Sequence, residues 1–210
     1  MKVIAINGSP NRSGGTYHSL KAVCNALERN GATTEILHVG DQTFHGCKAC
    51  GGCSKNKNRQ CVLGDGFNGL ASKIFEADGI IIGSPVHFSG MSGVLKTFLD
   101  RLFYVSTANG NLFYQKVGAA IASVRRSGGV ATVDGLNHYL QYSGMLMPAS
   151  NYWNVVHGNG GDQVLRDEEG MQTMDLLGEN MAWMLRLRQI GQNANPPAAP
   201  KKVYMSFIRD

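Results

Sequence analysis

Alternating apolar runs and amphipathic stretches predict an α/β protein: a doubly wound five-stranded parallel sheet, order 2-1-3-4-5, with helices on both faces. Three observations carry that expectation. Gly79-Ile80-Ile81-Ile82 is an apolar run without polar alternation, the pattern of a parallel strand covered on both sides. Strands alternate with helical periodicity about five times along the chain, as βα units do. Finally, 210 residues with 43% hydrophobic content suffice for one core, and five strands suit this order better than the six-stranded dinucleotide-binding one.

The elements follow in order. Lys2–Asn7 is the first strand, and Leu20, Val23, Cys24 and Leu27 recur at the i, i+3, i+4, i+7 spacing of a buried helix stripe that Asn30 and Gly31 terminate. Cys24 is thereby a core thiol. A second strand is expected at residues 34–39, followed by a cysteine-rich loop at 45–62. Asp65 is expected to cap a helix with Phe67, Leu70, Ala71 and Ile74 on one face. The third strand is expected at 79–83, then a helix with Val94, Leu95, Phe98, Leu99 and Leu102 inward, a strand at 117–124, and a helix over Gly129–Tyr142. A last strand is expected near 145–153 and a closing helix at 168–190, with Met174, Met181 and Met184 as core filling. Residues 1–192 thus form one domain, and 193–210 a linker marked by Pro196, Pro197 and Pro200 with a short amphipathic tail expected to lie on a neighbouring subunit.

Charge and hydropathy exclude several classes. The net charge of +5 is modest, and the one dense basic run, Lys48, Lys55, Lys57 and Arg59, has no interleaved aromatics, so it reads as a solvated rim around an anionic centre rather than a nucleic-acid surface. Neither a signal peptide nor a membrane span is apparent, which leads us to expect a cytoplasmic protein. In that compartment closely spaced cysteines bind metal more often than they form disulfides.

Cys47, Cys50, Cys53 and Cys61 follow the spacing C-x2-C-x2-C-x7-C. Neighbours only two residues apart can converge on one soft metal centre as a loop wraps it, which suits an iron–sulfur cluster. Zinc, with His45 able to replace one thiolate, and plain thiols without metal remain alternatives. Three further loops fall at the carboxyl ends of strands, where such sheets bind ligands. Gly8 to Thr16 offers the hydroxyls of Ser9, Ser13 and Thr16 with glycines including Gly15, a monophosphate cradle at a helix N-terminus. Next comes Ser84-Pro85-Val86-His87-Phe88, in which Pro85 is expected to end sheet pairing and the two rings to grip a flat cofactor. The third, with Ser123, Arg125, Arg126 and Gly129, brings guanidinium groups suited to a reduced ring or a nicotinamide phosphate.

GSPNRSGGT, CKACGGC with a later cysteine, and ADGIIIGSPVHFSGMSGVLKTFLDR, in that order, resemble the iron–sulfur flavoprotein branch of the NADPH-dependent FMN reductase family. The resemblance spans roughly residues 1–190. It implies a flavodoxin-like subunit that binds FMN, assembles as a homodimer or homotetramer, and holds a [4Fe–4S] cluster exchanging electrons with FMN. By position, Ser9, Asn11, Ser13 and Thr16 would hold the phosphate, Pro85 to Phe88 would line the ring, and Ser123, Arg125, Arg126 and Gly129 would close the pocket. The four loop cysteines would ligate the cluster. The expected function is an FMN-dependent oxidoreductase acting on a small-molecule or protein redox partner. Alternatives are a cluster-free NAD(P)H-dependent FMN or quinone reductase, or a non-catalytic electron carrier with a zinc or thiol loop.

Overall fold

The computed structural model describes residues 1–194, 196–199, 203–205 and 207. Its sheet has five parallel strands in the order β2-β1-β3-β4-β5. They are β1 (Lys2–Asn7), β2 (Thr33–His38), β3 (Gly79–Pro85), β4 (Val117–Val124) and β5 (Val155–His157). The helices are α1 (Gly15–Arg29), α2 (Gly52–Asn56), α3 (Phe67–Phe75), α4 (Gly93–Ala108), α5 (Gly129–Tyr142) and α6 (Glu168–Gly191), with a 3-10 turn at Gly161–Arg166. The doubly wound, flavodoxin-like sheet is thus the one the sequence predicts.

Strand alternation divides the core in two. Ile4, Ile6, Ile80 and Ile82 pack with Phe67, Ile74, Phe98 and Leu99 of α3 and α4. Their neighbours Val3, Ala5 and Ile81 turn to the opposite face and meet Val23, Leu27, Met174, Leu177 and Met181 of α1 and α6. Every one of these side chains is fully buried, and the larger ones contribute about 1.5–3 kcal/mol each, so together they outweigh any single polar contact.

Three expectations are corrected. The last strand is not at 145–153: Leu146 makes only an isolated parallel bridge to Val117, and the strand is β5. Gly144 at φ 63°, Pro148 and a turn in which Ser150 Oγ donates to the Tyr152 carbonyl interrupt the earlier run. Pro85 does not end pairing with β4; the register continues through Pro85↔Ser123, and the Val86 N–H donates to Ser123 O. Its missing N–H falls on the β1 side, where pairing has already stopped at Gly83. Asp65 does not cap α3, whose N-cap is Gly66 at φ 81°, because its carboxylate is taken by Arg101. Lys57, in the basic run, is exposed, and its Nζ donates to Ala108 O, one of the last carbonyls of α4. The tail expected at 201–210 falls largely outside the described residues. Among the described residues no helix is long and apolar enough to cross a membrane.

Candidate functional site

Backbone and side-chain bonds bring the three strand-end loops together. The Gly8 N–H donates to Gly83 O at 2.9 Å, tying the first loop to β3. Ser92, at the N-cap of α4, forgoes capping its own helix: its Oγ donates to Gly8 O at 2.6 Å, while its N–H donates to Ser84 Oγ at 3.0 Å. Ser84 is fully buried, and its hydroxyl donates to Pro85 O and accepts from the Ser92 N–H, which ties it into the loop. Glycines permit the remaining approaches. A Cβ on Gly15 would lie 2.5 Å from Ser123 Oγ, and one on Gly128, at φ 88°, would lie 2.9 Å from Ser89 Cα.

Within the first loop the polar side chains divide the work. Ser9 Oγ accepts from the Asn11 N–H and Asn11 Oδ1 accepts from the Ser13 N–H, two local turns that curl the chain ahead of α1. Thr16, only 1% exposed, is different: its Oγ1 is buried without a hydrogen-bond partner, and so is Asn7 Nδ2 at the end of β1. An unsatisfied buried donor costs about 1–3 kcal/mol, and a phosphate oxygen at the α1 N-terminus is an acceptor that would remove that cost. The residues therefore fit FMN. Arg12 does not join them, since its Nε is paired with Asp41 at 2.8 Å.

In the second loop Phe88 and Ser89, at φ 50° and 59°, close a two-residue hairpin between His87 and Gly90. Positive φ at a phenylalanine is strained, and the ring is fully exposed. Pro85 and Val86 are half-buried within the converging loops, while His87 and Phe88 project from them. Arg125 and Arg126 are exposed and form no ion pair among the described residues. Arg126 and Gly129 also border a cavity of about 690 Å³ that reaches Trp153 and His157.

The cysteine segment lies against α4. All four cysteines, Cys47, Cys50, Cys53 and Cys61, line one small cavity together with Arg101 and Tyr104. Cys53 is buried, Cys61 half-buried, and Cys47 and Cys50 exposed. Burial pushes the Cys53 thiol up, and the charges of Cys61 and Cys47 add to the shift, so these thiols already feel one another. The four-thiolate donor set suits a [4Fe–4S] cluster, while the cavity the cysteines share here is only about 20 Å³. Among the described residues, however, no group of three or more Cys, His, Asp or Glu side chains is gathered as a metal-ion site. Hydrogen bonds hold the segment's C-terminal end: Cys61 exchanges two 2.8 Å bonds with the Asn68 side chain, and the Arg59 N–H donates to Asn109 Oδ1.

Sequence reasoning missed the pair beneath this segment. Arg101 and Asp65 form a bidentate ion pair at 2.6 and 3.0 Å, and Arg101 also donates to His45 O and lies 4.2 Å over the Phe67 ring. Hydrogen bonding to Arg101 holds the Asp65 carboxyl down at about 2. Burial opposes the guanidinium's charge, but Asp65 and Cys61 more than offset this and raise its pKa. A signal was present: Asp65 is the only acid between His45 and Phe67, and Arg101 stands three residues from Phe98 on the helix's inward side.

A five-stranded parallel sheet of this order, with loops gathered at its strand ends, defines a flavodoxin-like fold, and the family match below makes the chain an FMN-dependent oxidoreductase. The family model for NADPH-dependent FMN reductase matches residues 1–160, and the chain belongs to that family. It is 30% identical over 194 residues to an iron-sulfur flavoprotein of Methanocaldococcus jannaschii, covering 89% of this chain and 98% of the relative. It is likewise 27% identical to the iron-sulfur flavoprotein of Methanosarcina thermophila, covering 90% and 97%. Among solved structures, RosB with bound 8-demethyl-8-formylriboflavin-5'-phosphate has the same fold, with a TM-score of 0.70, 18% identity, and coverage of 100% and 98%.

Proposed function

We propose that this protein passes electrons between a donor and an acceptor through FMN at the three-loop edge and a [4Fe–4S] cluster on Cys47, Cys50, Cys53 and Cys61. One observation carries the reading: all four cysteines, brought from both ends of a long loop, line a single cavity. FMN and the cluster supply the electron chemistry when bound. The chain supplies position and charge. Thr16, Ser9, Asn11 and Ser13 hold the phosphate end, Pro85 to Phe88 flank the ring, and Ser123, Arg125, Arg126 and Gly129 close it, the arginines facing negative charge on the ring or on NAD(P)H as donor. A small-molecule or protein redox partner reaches the cysteine loop through a cavity of about 950 Å³ bordered by Cys47, Lys57, Tyr104, His138 and Tyr139. The working unit is a homodimer or homotetramer.

A second reading, a cluster-free NAD(P)H-dependent FMN or quinone reductase, is favoured by the exposure of Cys47 and Cys50. Anaerobic reconstitution separates the two. The parent should take up iron and sulfide in a ratio near one and retain FMN, while Cys50→Ser should lose the iron. Equal uptake by both proteins, with NADPH oxidation intact, establishes the second reading instead. Zinc in place of iron, without NADPH turnover, would indicate an electron carrier with a structural clip.

A further inference from the structure

Arg101 is the one charged residue in the buried set of the described chain, at 1% exposure. Its two terminal nitrogens are committed to Asp65 and the His45 carbonyl, and its face to Phe67. Nε remains: it is buried and has no hydrogen-bond partner. The same side chain walls the cavity that holds all four loop cysteines. A rigid fork on a helix, anchored at one end by a carboxylate and on its face by a ring, thus keeps one unspent donor on a side chain that walls the cavity and has Cys61 as a neighbour.

We propose that Arg101 is the positioning residue of the cysteine site: its Nε–H donates to sulfur of the cluster held there, and its charge raises the cluster's reduction potential. This rests on the cluster reading given above. The competing cations are the surface residues Lys48, Lys55, Lys57 and Arg59, which are exposed. Water screens such charges within about 8–10 Å, and at equal distance a charge in the protein interior acts through a several-fold lower effective dielectric constant. The buried arginine therefore outweighs the rim. Asp65 has two effects in this arrangement: it fixes the guanidinium and cancels part of its field. Opposite substitutions should then move the potential in opposite directions, which damage to the fold alone would not do.

The test uses the full chain, reconstituted anaerobically with iron and sulfide, as parent, Arg101→Lys, Arg101→Met and Asp65→Asn. Iron and sulfide per chain, the midpoint potential of the cluster from its spectroscopic signal, and the thermal melt are measured for each. Arg101→Lys keeps a charge but loses the Nε–H, so it should retain the cluster about tenfold less firmly, as loss of an outer hydrogen-bond partner does. Arg101→Met should shift the midpoint to more negative values than Arg101→Lys. Asp65→Asn, which retains the arginine and removes the cancelling charge, should shift it to more positive values, and this arm decides should both Arg101 variants fail to fold. Unchanged retention and potential in Arg101→Lys, or an unchanged or more negative potential in Asp65→Asn, overturns the proposal while the parent's iron leaves the cluster reading standing. A parent that takes up neither iron nor sulfide overturns both.

Discussion

Thr16 carries a cost in the unliganded protein, because a hydroxyl buried without a partner has lost its water and gained nothing. Valine has nearly the same shape and no such debt. Thr16→Val should therefore leave the stability of the apoprotein unchanged or raise it, while weakening FMN by about 1–3 kcal/mol. Calorimetric titration of apoprotein with FMN, run beside a urea melt, reads both quantities; equal FMN affinity in the two proteins would remove the hydroxyl from the phosphate site. Asp65 supplies a pH prediction. Its carboxyl falls from 3.8 to about 2 in the folded chain, first because of its hydrogen bonds to Arg101. A depressed folded value stabilises the native state above the unfolded pKa, and that contribution disappears as pH falls through the folded one. The shift corresponds to about 2 kcal/mol, lost between about pH 4 and pH 2. Asp65→Asn should flatten the stability profile across that window and leave a buried arginine without its counter-charge at neutral pH. Breaking such a pair costs about 3–5 kcal/mol, so the variant should melt lower at pH 7. Denaturation curves for both proteins across this pH range would refute the assignment if their slopes coincide.

At the scale of elements, what could be read from the sequence and what could not divide along local and non-local physics. The strands β1, β3 and β4 announce themselves because a covered parallel strand needs an uninterrupted apolar run, and α1 and α4 because their stripes recur at helical spacing. β5 escaped because three residues at a sheet edge carry little periodicity, while the more apolar Met145, Leu146 and Met147 nearby bond only through a single bridge. The phosphate loop was legible as composition. Its placement was not, since the loop packs against Gly40, two residues past the end of β2. A Cβ on Gly40 would lie 2.0 Å from the Ser9 carbonyl oxygen, a backbone atom with nowhere to yield. Gly40→Ala should displace the first loop and weaken FMN binding more than Thr16→Val does, with the helical and sheet signature in circular dichroism preserved. An alanine variant that binds FMN like the parent would mean the loop can shift without consequence. Arg101 stayed hidden for a related reason: a charge beside an apolar stripe looks solvated until its carboxylate partner, 36 positions away, is seen to close over it.

Over the whole molecule, α4 is the shared spine of the two proposed sites. Its first residue neighbour, Ser92, ties the flavin loops; Arg101 in its middle holds the cysteine loop through Asp65; and its C-terminal Ala108 and Asn109 receive Lys57 and Arg59. Ser92 and Arg101 are nine residues apart, about 14 Å along a helix axis. The two sites are thus close enough to belong to one path and are still held by separate hydrogen bonds. The flavin loops are fastened by Gly8 to Gly83, Ser92 to Gly8 and Val86 to Ser123, none of which involves the segment from Cys47 to Cys61. Occupancy should therefore be separable. Cys50→Ser, at an exposed position, should lose iron after anaerobic reconstitution while keeping FMN and the parent's melting temperature, and Thr16→Val should lose FMN on dilution while keeping iron. Flavin and iron analysis of the two variants side by side makes the comparison. Loss of both cofactors from either variant would show that the sites fold as one unit.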